Sequence, residues 1–176
     1  MKSIEIGSGV TEIEEHGLAN CEELEDVTIV GPVETIGANA FAYCQKLSGI
    51  ELPETLREIG ESAFFHCNNL ESITLPASIT RIGNGAFYNT GISEIIIERD
   101  PDFLGTSDKE VLAQLSRFVG YGKGDAVPRD RTCTVVFNCE HKGDKMEKRF
   151  EYNYTTGEWK CFRWRRVFLE SYRSSH

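Results

Sequence analysis

An α/β solenoid with a small appendage is what this sequence of 176 residues predicts. Residues 1–99 read as about four leucine-opened repeats, each of about 23 residues, that stack into a short parallel sheet. Residues 100–176 read as a C-terminal α+β element, one helix followed by an antiparallel β-meander. Three observations carry this. Leu24, Leu47 and Leu70 each open a similar segment, and the interval between them is the same both times. That period is one of stacked repeats. Within each repeat two apolar residues stand at i and i+2, the period of a strand. The pattern stops at Asp100-Pro101, where helical and then alternating periodicity takes over.

The strand columns come from simple addition. Ile4, Val27, Ile50, Ile73 and Ile95 form one, and Ile6, Ile29, Leu52, Leu75 and Ile97 form the next. Stacked in parallel about 4.8 Å apart, each strand satisfies the backbone edge of its neighbour. Val10, Val33, Leu56 and Ile79, then Ile13, Ile36, Ile59 and Ile82, follow at a spacing that turns a corner. Gly37, Gly60 and Gly83 come next in column. They predict either a positive φ or a close backbone approach. Ala40, Ala63 and Ala86 then precede Phe41, Phe64 and Phe87, with Leu18 in the ring's place in the first repeat. The polar runs around these rings have room for one or two helical turns.

One repeat buries nothing alone, so the core is the stack itself. The step from Phe87 to Ile92, through Asn89, Thr90 and Gly91, is one residue shorter than that from Phe64 to Leu70, with Thr90 in place of Cys67, as expected of a terminal repeat. At the other end Ile4 and Ile6 begin a strand at once. That uncapped edge predicts either pairing with another chain, self-association included, or a missing piece.

The pattern L-x-x-[IV]-x-[IL]-P-x-x-[IL]-x-x-I-G-x-x-A-F-x-x-C resembles the BspA-like leucine-rich repeats, over residues 4–98. The resemblance implies a right-handed curved leucine-rich repeat solenoid with its parallel sheet on the concave face. It further implies a non-enzymatic binding module, often on a microbial cell surface. The outward residues of that sheet are then the candidate partner face: Asp26, Thr28, Glu51, Ser72, Thr74, Glu94 and Ile96, with Glu5, Val30 and Glu98 beside them. Each is equally what a solvated sheet residue looks like. Five strands span only about 20 Å, the reach of a peptide segment or a loop.

Beyond the repeats, Ser107 and Glu110 form a capping box ahead of a helix with Val111, Leu112, Leu115, Phe118 and Val119 on one stripe, ended by Gly120. Gly120-Tyr-Gly-Lys-Gly124 lacks the strand–loop–helix order and the Ser or Thr of a phosphate loop, and reads as a linker. Residues 132–168 alternate as a meander turning at 141–144 and 155–158, with Trp159–Phe168 as its third strand. On that strand Lys160, Phe162, Trp164 and Arg166 would share one face, and Trp159, Cys161 and Arg163 the other.

Residues 1–116 hold six basic and 20 acidic side chains, a balance of −14, whereas residues 117–176 hold 13 and eight, a balance of +5. The basic part includes the aromatic segment Trp159, Arg163, Trp164, Arg165 and Arg166. Rings beside arginines suit single-stranded nucleic acid, so residues 159–173 offer an alternative partner class. A partner protein, or the acidic solenoid itself, answers the same charge.

The Cys21, Cys44 and Cys67 column reads as small buried hydrophobes. With no apolar stretch after Met1, reduced thiols favour an intracellular setting; the family resemblance favours a cell surface. Cys133, Cys139, His141 and Cys161 follow C-x5-C-x-H-x19-C, which is not a familiar zinc spacing. His66 beside Cys67 is not by itself a nucleophile pair. No paired acid and base, metal cluster or cofactor motif appears, and no apolar run reaches membrane length. The expectation is a protein-binding module without catalysis, metal or cofactor.

Overall fold

The computed structural model describes residues 1–121 and 130–168. Gly122, Lys123 and Gly124 of the glycine-rich segment, and residues 169–173 of the basic segment, lie outside them.

The chain is a β-solenoid of about four turns with parallel sheets and, among the described residues, a single α-helix, carrying a small C-terminal element. The first strand of each repeat lies on one side: β1 (Ser3–Ile6), β3 (Asp26–Ile29), β5 (Gly49–Ile50), β7 (Ser72–Leu75) and β10 (Glu94–Ile97). β1, β3 and β5 pair in parallel, and so do β7 and β10. The corner residues do more than turn the chain. β2 (Glu12–Ile13), β4 (Thr35–Ile36), β6 (Glu58–Ile59) and β8 (Arg81–Ile82) form a second parallel sheet of four strands. One apolar residue in each, Ile13, Ile36, Ile59 and Ile82, turns inward.

The third side of each turn has no helix. It is a series of tight turns, because residues there hold a positive φ: His16, Asn39 and Ser62 in one column, Asn20, Tyr43, His66 and Asn89 in the next. Gly85 continues the first of these columns. The Gly37, Gly60 and Gly83 column is not left-handed. It is glycine because the preceding rung lies against it: a Cβ would fall 2.6, 2.5 and 2.4 Å from the amide nitrogens of Glu15, Ala38 and Glu61.

The core is a set of ladders between these sides. Phe41, Phe64 and Phe87 stack at 5.3 and 5.6 Å, and Phe118 of the helix adds a fourth ring 6.2 Å from Phe87. The cysteine column is polar as well as buried. Cys44 Sγ donates to the Leu18 carbonyl and Cys67 Sγ to the Phe41 carbonyl, each at 3.1 Å. Thr55 and Ser78 hydroxyls similarly donate to Val33 and Leu56 carbonyls at 2.8 and 2.6 Å. Each bond crosses one rung and fixes the register of the next.

A 3₁₀ turn (Pro101–Phe103) leads to α1 (Asp108–Phe118). Its capping box is present: Ser107 Oγ accepts from the Glu110 amide, and Glu110 Oε2 accepts from the Ser107 amide. The helix ends at Phe118, before the expected Gly120. Val119 and Gly120 form β11, which pairs in parallel with β9 (Phe87–Tyr88).

The meander comprises β12 (Thr132–His141), β13 (Asp144–Asn153), β14 (Glu158–Cys161) and β15 (Arg165–Arg166). β12 pairs in parallel with β10, Ile95 opposite Val135 and Ile97 opposite Phe137, so the meander prolongs the solenoid sheet. The expected third strand is broken. Phe150 pairs with Cys161, but Glu147 pairs with Arg165, leaving three residues opposite two. This bulge switches the residues beyond it to the opposite face. Arg166 therefore shares a face with Trp159 and Cys161, and Arg165 with Lys160.

Candidate functional site

The outward side of the β1–β3–β5 and β7–β10–β12 strands is a shallow polar surface. Asp26, Thr28, Ser72, Thr74 and Glu94 are exposed there, because their neighbours at i±1 fill the core. Ile96 is half-buried, flanked in register by Thr74 and by Val136, itself 5% exposed. The surface is not continuous. Among the described residues no ladder joins Gly49–Ile50 to Ser72–Leu75. Gly49 stands where the other repeats place Ser3, Asp26, Ser72 and Glu94, and glycine weakens a strand. A cleft of about 480 Å³ opens there, with Glu51, Glu54, Glu98, Ser72, Thr74 and Pro76 in its wall. Its three carboxylates have no ion-pair partner among the described residues.

Residues 1–107 match the model of the BspA type leucine rich repeat region, in six copies. The chain belongs to the BspA-type leucine-rich repeat family. It is also similar to a solved leucine rich cell surface protein of Faecalibacterium prausnitzii, with 26% identity and a TM-score of 0.29. That match covers 55% of this chain and 39% of the other, so the chain spans well under half of that protein's length. No curated protein matches. Proteins built on BspA-type repeats are generally not enzymes, and their repeats commonly bind other proteins.

In this BspA-type chain the basic aromatic segment is largely engaged at home. Trp159 Nε1 donates to Ser116 Oγ at 3.0 Å and its ring leans on Tyr152 at 4.9 Å, tying the meander to α1. Arg165 is paired with Glu147 and Arg166 with Asp144, each at 2.9 Å. Trp164 is 39% exposed, and Arg163 is exposed without an ion-pair partner among the described residues. The five residues do not form one basic face.

Cys67 and His66 make separate contacts. Cys67 Sγ points at Phe41, while His66 lies on the Tyr43 ring at 4.9 Å and against Asn89 Nδ2 at 3.2 Å. Burial raises the Cys67 pKa, pushes Cys44 up to about 11 and Cys133 up to about 12, so these thiols stay protonated at neutral pH. All six cysteines are free. The zinc quartet divides: Cys133 faces the core, Cys161 donates to Asp108 at 3.0 Å, and Cys139 and His141 lie together near the hairpin end. Among the described residues no three His, Cys, Asp or Glu side chains converge as a metal set.

One cluster escaped sequence reading. Lys148 is 4% exposed, yet its Nζ reaches Asp108 at 3.0 Å, and Cys161 donates to the same carboxylate oxygen. Burial works against the Lys148 charge, but Asp108 and Cys161 outweigh it and raise its pKa. The thiol bond, aided by Lys148, holds Asp108 below the usual carboxylate range. The meander's alternation gave no signal for this, since the carboxylate comes from the start of α1, far back in the chain. No helix among the described residues is long and apolar enough to cross a membrane.

Proposed function

We propose that this chain is a non-catalytic protein-interaction module whose concave face takes a basic, extended segment of a partner protein. The cleft between Gly49–Ile50 and Ser72–Leu75 carries the reading. Its Glu51, Glu54 and Glu98 are unpaired among the described residues, so a Lys- or Arg-rich segment would meet charge that no described side chain neutralises. Ser72 and Thr74 offer hydroxyls beside that charge, Asp26, Thr28 and Glu94 extend it, and Ile96 with Val136 gives a small apolar contact. Cell-surface display is the setting that membership of this family supports.

Selection of displayed peptides against the whole chain is the test. Enriched sequences should be basic and extended. Their binding should fall at least about tenfold when Glu51 and Glu98 are both changed to Lys, with the circular dichroism unchanged. Unaltered binding by that variant would reject the face. A second reading, a structural subunit that pairs through its N-terminal edge, is favoured by β1, whose outer side has no partner strand among the described residues. Nucleic acid is the weaker alternative, because Arg165 and Arg166 are held by Glu147 and Asp144.

A further inference from the structure

At the far end of the β12–β13 hairpin, past the edge of the core, lies a cavity of about 310 Å³ lined by Asp100, Cys139, His141, Met146 and Trp164. Three of these carry soft or borderline donors, and the strand geometry brings them together. Cys139 and Met146 are directly opposite in register, so their Cβ atoms are about 5 Å apart on one face. His141 is two residues beyond Cys139, on the same face of the same strand. None of the three side chains has a hydrogen-bond partner among the described residues. Their neighbours are otherwise engaged: Arg166, across from Met146, is neutralised by Asp144 at 2.9 Å.

We propose that Cys139, His141 and Met146 form a binding site for a soft monovalent metal ion, Cu(I). A thiolate, a thioether and an imidazole are the donors that such an ion prefers. Zn(II) asks for four ligands from Cys, His and carboxylates, and among the described residues no three such groups are placed to share one ion, Asp100, Cys139 and His141 included. The remaining walls do not oppose a cation: the Asp100 carboxylate supplies negative charge, and Trp164 lines the same cavity. On binding, Cys139 gives up its thiol proton to solvent and the metal takes its place; no oxidation is involved. The turn at Lys142-Gly143, where both residues have positive φ, joins the two donor strands and sets their spacing.

Anaerobic titration of the whole chain with Cu(I), in competition with bathocuproine disulfonate, tests this. One Cu(I) per chain is expected, with quenched tryptophan fluorescence. Copper-edge X-ray absorption should find two sulfur neighbours and one nitrogen. Met146→Leu and His141→Gln sit at the hairpin's margin and keep side-chain volume. Each should weaken binding at least about tenfold without altering the circular dichroism. Cys161→Ser should leave affinity and stoichiometry unchanged. The site is overturned if copper is lost with Cys161→Ser, if it is retained unchanged in the His141→Gln and Met146→Leu chains, or if the chain takes none from the competitor.

Discussion

A Cβ on Gly60 would sit 2.5 Å from the Ala38 amide nitrogen and 2.7 Å from the Gly37 carbonyl carbon, both backbone atoms. Neither can swing aside. Gly60→Ala should therefore cost about 2 kcal/mol of unfolding free energy in a urea titration, by overpacking between rungs. Gly9→Ala is the contrast: no atom lies within 4 Å of its Cβ, and the change should stay within about 0.5 kcal/mol. The sequence column left two explanations for Gly37, Gly60 and Gly83, and only the distance to the previous rung separates them. The left-handed positions were hidden for the opposite reason. Tyr43 and Ser62 hold φ of 63° and 55°, yet neither residue type advertises such a turn.

At the level of elements, local signals were legible and pairing was not. The Ser107 capping box placed α1, and the alternation from Cys133 to Tyr154 placed β12 and β13. Alternation names the face of a strand but not its neighbour, so the parallel β10–β12 junction was not foreseeable. Nor was the bulge after Cys161, which depends on where Arg165 finds Glu147. The Lys148–Asp108–Cys161 contact is where helix and meander depend on each other. Asp108→Asn leaves a buried ammonium with less compensation. Because the carboxylate itself is solvent-exposed, the change should destabilise the chain by only roughly 1–2 kcal/mol at neutral pH. Asp108 titrates lower in the folded chain, so its stabilisation is present above the ordinary carboxylate pKa and is lost as pH falls through the depressed value. Urea titrations of the two chains should therefore converge in acid, and a gap that persisted there would contradict the assignment.

Across the whole molecule, the repeat period disclosed the stack, the inward columns and the outward face before any coordinates. It could not disclose the interruption at Gly49, because the cleft arises from a missing ladder and not from a missing column. The charge asymmetry was equally visible but differently spent: much of the basic excess near residues 165–166 is consumed by Glu147 and Asp144, whereas the carboxylates of the acidic cleft have no ion pair among the described residues.

The two strand stacks on this side also differ mechanically. Among the described residues β1 pairs on one side only, with β3, while β10 is locked between β7 and β12. Tension applied between the termini should strip the chain from its N-terminal end, one rung at a time, like a zip with a single free end. Each rung released, about 23 residues, would lengthen the tether by about 80 Å. An optical-trap record should show a staircase of such steps before the C-terminal part yields, and one abrupt rip of the entire chain would contradict it.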